Sequence, residues 1–232
     1  MQKLLAIAVL ASLVVSSTSA GFNFYKLSLI WPISRCNVIY FDCISPLPNY
    51  FTIHGLWPQF ADDTPVPPYY QNSTCTTVTP TSPDNISVTL QPIQSHLSKR
   101  WPNLASYDIY LWMDEWEQHG MCSDYPNQPY DYFSAALDLA RNPKYDPLKV
   151  MGIRPGAYVQ VKTVLENVKR NVGAYPQIAC NVDVGPSKLL QLWEIRFCFD
   201  RAMPPSRVRD CPKKLDGDCK QETDFISFPW YI

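Results

Sequence analysis

Histidine is scarce in this 232-residue sequence, where only three occur. No Cys-x-x-Cys pair is found and the cysteines are spread widely, which leaves zinc binding without its usual ligand spacing. Positive charge is not in excess either: Lys and Arg number 20 against 21 Asp and Glu. A nucleic-acid partner would therefore have to be held by local groups, because no global positive field gathers phosphates. Beyond the first 20 residues there is no apolar run of the roughly 18 to 20 residues a transmembrane helix needs. Internal repeats and long linkers are also missing.

What is present begins with a leader. Residues 1–20 carry Lys3, an apolar run over 4–15 and the small residues Thr18, Ser19 and Ala20, the pattern of a secretory signal peptide. The expected mature chain, 21–232, is soluble, secreted and extracellular, with a net charge of −2 once Lys3 is set aside. Its length suits one domain, since domains run from about 50 to 250 residues. All eight cysteines lie in that part (Cys36, Cys43, Cys75, Cys122, Cys180, Cys198, Cys211 and Cys219). An even count behind a leader predicts disulfides, although the residues alone leave the pairing open. Asn72 and Asn85 each begin an Asn-x-Ser/Thr sequon, which in a secreted chain marks exposed loops and glycosylation sites.

Two of the three histidines sit in two distinctive stretches, 52–58 (TIHGLWP) and 112–122 (WMDEWEQHGMC). If the second is helical, Glu115 and His119 at i and i+4 project from one face. Histidine titrates near pH 6.5, so His54 and His119 could serve as acid and base on one reacting group. Asp114, Glu115 and Glu117 flank His119 in sequence and are expected to raise its pKa. The third histidine, His96, has nothing around it that builds a site and reads as a partly buried or surface helix residue.

Along the chain, 24–30 reads as a strand ending at Trp31-Pro32, with further strands at 39–41 and 50–53, so that His54 falls at a strand end. Residues 61–83, rich in Pro, Thr, Asp and Ser, predict an irregular loop tied by Cys75. Leu90, Ile93, Leu97 and Trp101 recur at helical spacing, as do apolar residues over 130–141 and 158–172. In 189–199, Trp193, Ile195, Phe197 and Phe199 alternate with Glu194, Arg196 and Cys198, the pattern of a half-buried strand. Helices in the middle with strands at both ends indicate α+β with an antiparallel sheet.

The stretches HGLWP at 54–58 and EWEQHGMC at 115–122 resemble the paired active-site signatures of the ribonuclease T2 family, normally H-G-L-W-P and H-E-W-x-K-H-G-T-C. Asp114 stands where most members carry a third histidine, and Gln118 where they carry lysine. Trp31-Pro32, 101–104 (WPNL) and 225–229 (FISFP) follow in the family's order, so the likeness spans the mature chain. It implies a ribonuclease T2-like fold and a single-stranded RNA substrate cleaved without metal or other cofactor. It also implies the pairs Cys36–Cys43, Cys75–Cys122, Cys180–Cys219 and Cys198–Cys211.

By resemblance, His119 is the base and His54 the acid of a first step that yields a 2′,3′-cyclic phosphate, with Glu115 the active-site carboxylate. Gln118 would replace a cation beside the phosphate and weaken charge stabilisation. Asn103, Leu104 and Leu111 match positions lining base pockets, and Ile30 stands where the family's base-holding glutamine is usual. Trp57 reads equally as a core anchor or as an indole face for a base. The missing third histidine and the segments around 31–33 and 48–53 look like the S-ribonucleases of self-pollen rejection, which would add pollen recognition proteins as partners. The acidic balance points instead to the S-like ribonucleases of defence and phosphate scavenging. A catalytically weakened storage or recognition protein is the reading from another class. The chain is expected to act as a monomer with no membrane partner.

Overall fold

A computed structural model describes residues 21–38, 42–186 and 188–230; the expected leader and the strand expected at 39–41 lie outside them. The chain opens with β1 (Phe24–Ile30), α1 (Pro32–Cys36) and β2 (Thr52–Gln59). A mostly helical middle follows: α2 (Ile86–Thr89), α3 (Gln94–Arg100), α4 (Asp108–Gln118), α5 (Pro129–Arg141) and α6 (Pro147–Val150). Then come β3 (Tyr158–Gln160), α7 (Val161–Val172), β4 (Gln177–Val182), β5 (Leu190–Asp200), β6 (Val208–Arg209), β7 (Leu215–Gly217) and β8 (Phe225–Ser227). This is the expected α+β arrangement. The spine of the sheet runs β2-β1-β5-β4-β7. It is largely antiparallel, but β4 with β7 and β5 with β8 pair in parallel, so the sheet is mixed.

Pairing fixes which residues share a face, because side chains alternate along a strand. β1 lies between β2 and β5, with Leu27 opposite Leu56 and Phe197, and Leu29 opposite Ile53 and Ile195. Those residues join a core that also takes Phe133 and Leu137 of α5 and Val164, Leu165 and Val168 of α7. The alternate residues Lys26, Ser28, Arg196 and Glu194 occupy the other face, and Gln177 on β4 stands opposite Arg196. These polar side chains are nevertheless buried. The half-buried reading of β5 therefore fails: a strand flanked on both sides inside a covered sheet has no solvent face, and Glu194 is 0% exposed.

Leu90, Ile93, Leu97 and Trp101 all turn inward as expected. The helix pattern over 158–172 splits, because Tyr158, Val159 and Gln160 pair with β8 before α7 begins. Residues 61–83 form turns, tied by the Cys75–Cys122 disulfide to the segment just after His119. The other disulfides join Cys36 to Cys43, Cys180 to Cys219 and Cys198 to Cys211. Asn85 is exposed; Asn72 is partly exposed and its Oδ1 accepts a hydrogen bond from the Thr74 hydroxyl at 2.7 Å.

Candidate active site

His54 lies inside β2, not at its end, and what aims it is a bulge. Ser28 pairs with Gly55 and Leu29 with Ile53, which leaves His54 without a partner on β1. An extra residue of this kind breaks the ladder and re-aims its side chain. The freed carbonyl of His54 accepts a 2.8 Å hydrogen bond from Trp101 Nε1, and the Trp101 carbonyl accepts one from Trp112 Nε1 of α4. The strand carrying His54 and the helix carrying Glu115 are thus coupled through two buried indoles.

Glu115 projects from α4 toward β2. Its Oε2 accepts from Trp57 Nε1 at 3.1 Å and its Oε1 lies 4.0 Å from His54 Nε2. Any Cβ at residue 55 would collide with the Trp57 indole and the Glu115 carboxyl, so glycine is what lets this contact form against the strand. His119 leaves the helix as its C-cap, with φ −133°. Its N–H still bonds the Glu115 carbonyl one turn back, and both side chains reach Trp57, Glu115 through the indole N–H and His119 through a ring contact at 5.4 Å. The Trp57 ring is also 5.1 Å from that of His54 and lies under the Arg196 guanidinium at 5.1 Å. It stands between the two histidines rather than alone.

The two imidazoles sit in opposed surroundings. Burial alone would lower the pKa of His54, but the Glu194 carboxylate, 2.6 Å from Nδ1, outweighs burial and the net direction is up. His119 has no such partner: its Nδ1 is enclosed and has no hydrogen-bond partner among the described residues. Burial, followed by repulsion from His54, pushes its pKa down to about 3. The expectation that neighbouring carboxylates would raise it is overturned, since Asp114 is exposed and Glu115 is turned to His54 and Trp57. Burial raises Glu115 to about 7 against the opposing pull of His54 and the Trp57 N–H.

A cavity of about 180 Å3 adjoins His54, lined by Ile30, Arg35, Ile53, Pro102, Asn103, Leu104 and Leu111. The three expected pocket residues are thus together. Asn103, however, uses its side chain internally. Its Oδ1 accepts from the Ala105 and Ser106 N–H groups, and its Nδ2 donates to Ser106 Oγ and the Tyr107 carbonyl. Gln118 is turned toward the loop, with Nε2 3.4 Å from the exposed Tyr70 hydroxyl. His96 is exposed on α3.

Sequence reasoning missed Glu194 and Arg196. The available signal is two opposite charges inside an otherwise apolar run, which strand alternation alone places on a solvent face.

The pattern of the Ribonuclease T2 family matches residues 22–211. This chain belongs to the ribonuclease T2 family. The ribonuclease is 31% identical to "Ribonuclease 1" of Arabidopsis thaliana over 222 residues, 92% of this chain and 90% of that protein. It is 30% identical to "Ribonuclease S-2" of Nicotiana alata, over 93% of this chain and 92% of that one. Its fold matches the crystal structure of RNase NT in complex with 5′-AMP at a TM-score of 0.70 and 27% identity, covering 90% of this chain and 98% of that one. It is a metal-independent endoribonuclease, as members of this family are. No helix among the described residues is long and apolar enough to cross a membrane.

Proposed function

We propose that the enzyme is secreted and cleaves single-stranded RNA by transphosphorylation, with His119 as base, His54 as acid and Glu115 as a donor to the phosphoryl group. RNA carries its own nucleophile, the ribose 2′-hydroxyl, so the protein supplies proton transfer and charge stabilisation. The neutral ring of His119 takes the 2′-hydroxyl proton as the 2′-oxygen attacks phosphorus. The bond from phosphorus to the 5′-oxygen breaks, and protonated His54 gives its Nε2 proton to that oxygen. The product is a 2′,3′-cyclic phosphate, and hydrolysis of the cyclic ester would reverse the two roles.

The chief support is the opposed electrostatics of the histidines. A buried carboxylate shifts His54 toward its protonated form and burial shifts His119 toward its neutral form, and a pair of groups driven apart in this way marks acid and base. Glu115 suits its role when protonated. A carboxylate ion would repel the charge growing on phosphorus, whereas a carboxylic acid donates a hydrogen bond to it, and a pKa of about 7 keeps the acid form populated below neutrality. The adjoining apolar cavity is read as the seat of one base. The purified mature protein, incubated with a short RNA in the presence of chelator, should release 2′,3′-cyclic phosphate ends. Cleavage that left linear 3′-phosphates from the outset would overturn the mechanism.

For biological role we favour the S-type, in which a pistil ribonuclease rejects self pollen through recognition partners. The sequence features around 31–33 and 48–53 and the similarity to Ribonuclease S-2 support it. The acidic balance and the equal similarity to Ribonuclease 1 favour the S-like role in defence and phosphate scavenging. Expression confined to the style separates the two. Glycosylation at Asn72 and Asn85 is checked by the mass of the secreted protein.

A further inference from the structure

The mechanism above uses His54, Glu115 and His119 but leaves unexplained why a glutamate is buried completely in the middle of the sheet. Burying a carboxylate is unfavourable unless it is paired and hydrogen-bonded. Glu194 has three partners. Its Oε1 is 2.6 Å from His54 Nδ1; its Oε2 accepts from Ser28 Oγ at 2.8 Å and from Arg196 Nε at 2.7 Å. His54 and Glu194 belong to β2 and β5, which are separated by β1; there Ile30 pairs with Glu194, and the small Ser28, two residues back on the same face, reaches Glu194 with its hydroxyl. The bulge at His54 and the serine at 28 are thus two independent features that bring one carboxylate to one imidazole nitrogen.

Arg196 is itself tied down. It bonds Gln177 Oε1 at 2.9 Å and pairs with Asp216 of β7. It also covers the ring of Trp57, whose N–H holds Glu115. Contacts therefore run from His54 through Glu194, Arg196 and Trp57 to Glu115, which returns to within 4.0 Å of His54.

We infer that Glu194, set by Ser28 and Arg196, is a positioning residue that fixes His54 in the tautomer with hydrogen on Nδ1, so that Nε2 faces the substrate. The inference rests on the proposed acid role of His54. A carboxylate accepts a hydrogen bond and cannot donate one, so a neutral His54 must carry its proton on Nδ1 to keep this contact. The same charge favours the imidazolium that the acid needs. Other charged and titratable groups bear on His54 from α4 and β5: Glu115 acts with Glu194, and Arg196 against it. His119 faces it across Trp57. Arg35 from α1 and Asp216 from β7 act one step further away, on Glu194 and Arg196.

The first test needs no variant. Nitrogen-15 NMR of the histidine side chains in the folded wild-type protein, above the His54 midpoint, should show His54 protonated at Nδ1. Protonation at Nε2 would overturn the proposal. The second test uses Glu194→Gln, which keeps an acceptor oxygen in place and removes the charge. The His54 midpoint should then fall by about one pH unit or more, and the alkaline limb of kcat should move down with it. kcat should drop about 10- to 100-fold with KM changed less than about threefold, as expected for a group acting on proton transfer. Arg196→Met should move the midpoint the other way, and Glu194→Asp, which keeps the charge, should restore it toward wild type. A purely structural role for Glu194 predicts lower melting temperatures with the His54 midpoint unmoved, and that result would overturn the inference. If the wild-type protein failed to cleave RNA, the functional reading would fall while the tautomer and midpoint measurements still decided the His54–Glu194 contact.

Discussion

His54 and His119 are both pressed against Trp57, yet their surroundings differ in the one respect that sets proton affinity. His54 rests on a buried carboxylate and its side chain is 33% exposed at the free edge. His119 is half-buried against the indole, with its Nδ1 enclosed and without a hydrogen-bond partner among the described residues. The same side chain is thereby pushed toward its protonated form in one place and toward its neutral form in the other. The lesson is that distance from charge in space, not in sequence, decides protonation: three acidic neighbours in sequence leave the His119 pKa depressed, while a glutamate 140 residues away raises that of His54.

The severest way to break this comparison is to remove either ring. His54→Ala or His119→Ala should lower kcat by at least about a hundredfold with the fold retained, because positioned proton transfer contributes about 10² to 10⁴ in rate. Normal turnover by either purified variant would end the assignment. Glu115 should respond in a graded way. Glu115→Gln keeps a donor N–H near the phosphoryl group, so it should retain several-fold more activity than Glu115→Ala, whose loss should be about 10² to 10³. Equal losses would show that charge, not donation, matters at 115.

The pH profile sharpens the contrast. A base works above its pKa and an acid below it. Activity should therefore persist well into the acidic range, with the low limb near the His119 value of about 3, and should decline above the ordinary imidazole value as His54 deprotonates. Stability follows the same groups. His119 is depressed from 6.5 to about 3 and Glu194 from 4.5 to about 2. Each gives stability that is complete above its unfolded value and lost as pH falls through its folded one. Glu115, raised to about 7, behaves oppositely, giving stability below 4.5 that is lost as pH rises through 7. Melting temperatures measured from pH 7 down to pH 2 should thus fall on the acidic side.

Two smaller effects complete the series. Trp101→Phe removes the N–H that satisfies the His54 carbonyl at the bulge and should destabilise by about 1–3 kcal/mol. That corresponds to about 2–4 °C in Tm per kcal/mol for a chain of this size. A kcat loss beyond the stability effect would show that the bulge aims His54. Gln118→Lys should change the rate least, less than about threefold, because Gln118 is turned to Tyr70 at the surface. A tenfold rise would place residue 118 beside the phosphate after all.

Much of this molecule was legible in its sequence. The bounds of β1 match their aromatic and apolar run, α5 follows its 3.6 period from Pro129, and the two histidine stretches do meet around Trp57. What escaped depended on partners in other strands. The bulge at His54 exists only through its pairing with β1, and the alternation in β5 cannot reveal that both faces of that strand are covered. Asn103 was legible by position but not by availability, since a loop that satisfies its own amide leaves no mark on local sequence.

The polar face of the sheet also bears on how the enzyme meets its substrate. Lys26 is paired with Asp63, and Arg196 with Glu194 and Asp216, so these cations on the buried polar face of the sheet are already neutralised. An approaching RNA strand meets an acidic protein whose interior cations project little field. Few counterions should then be released on association, and cleavage should decline only gently as ionic strength rises, unlike that of a ribonuclease that captures its polymer through a basic groove.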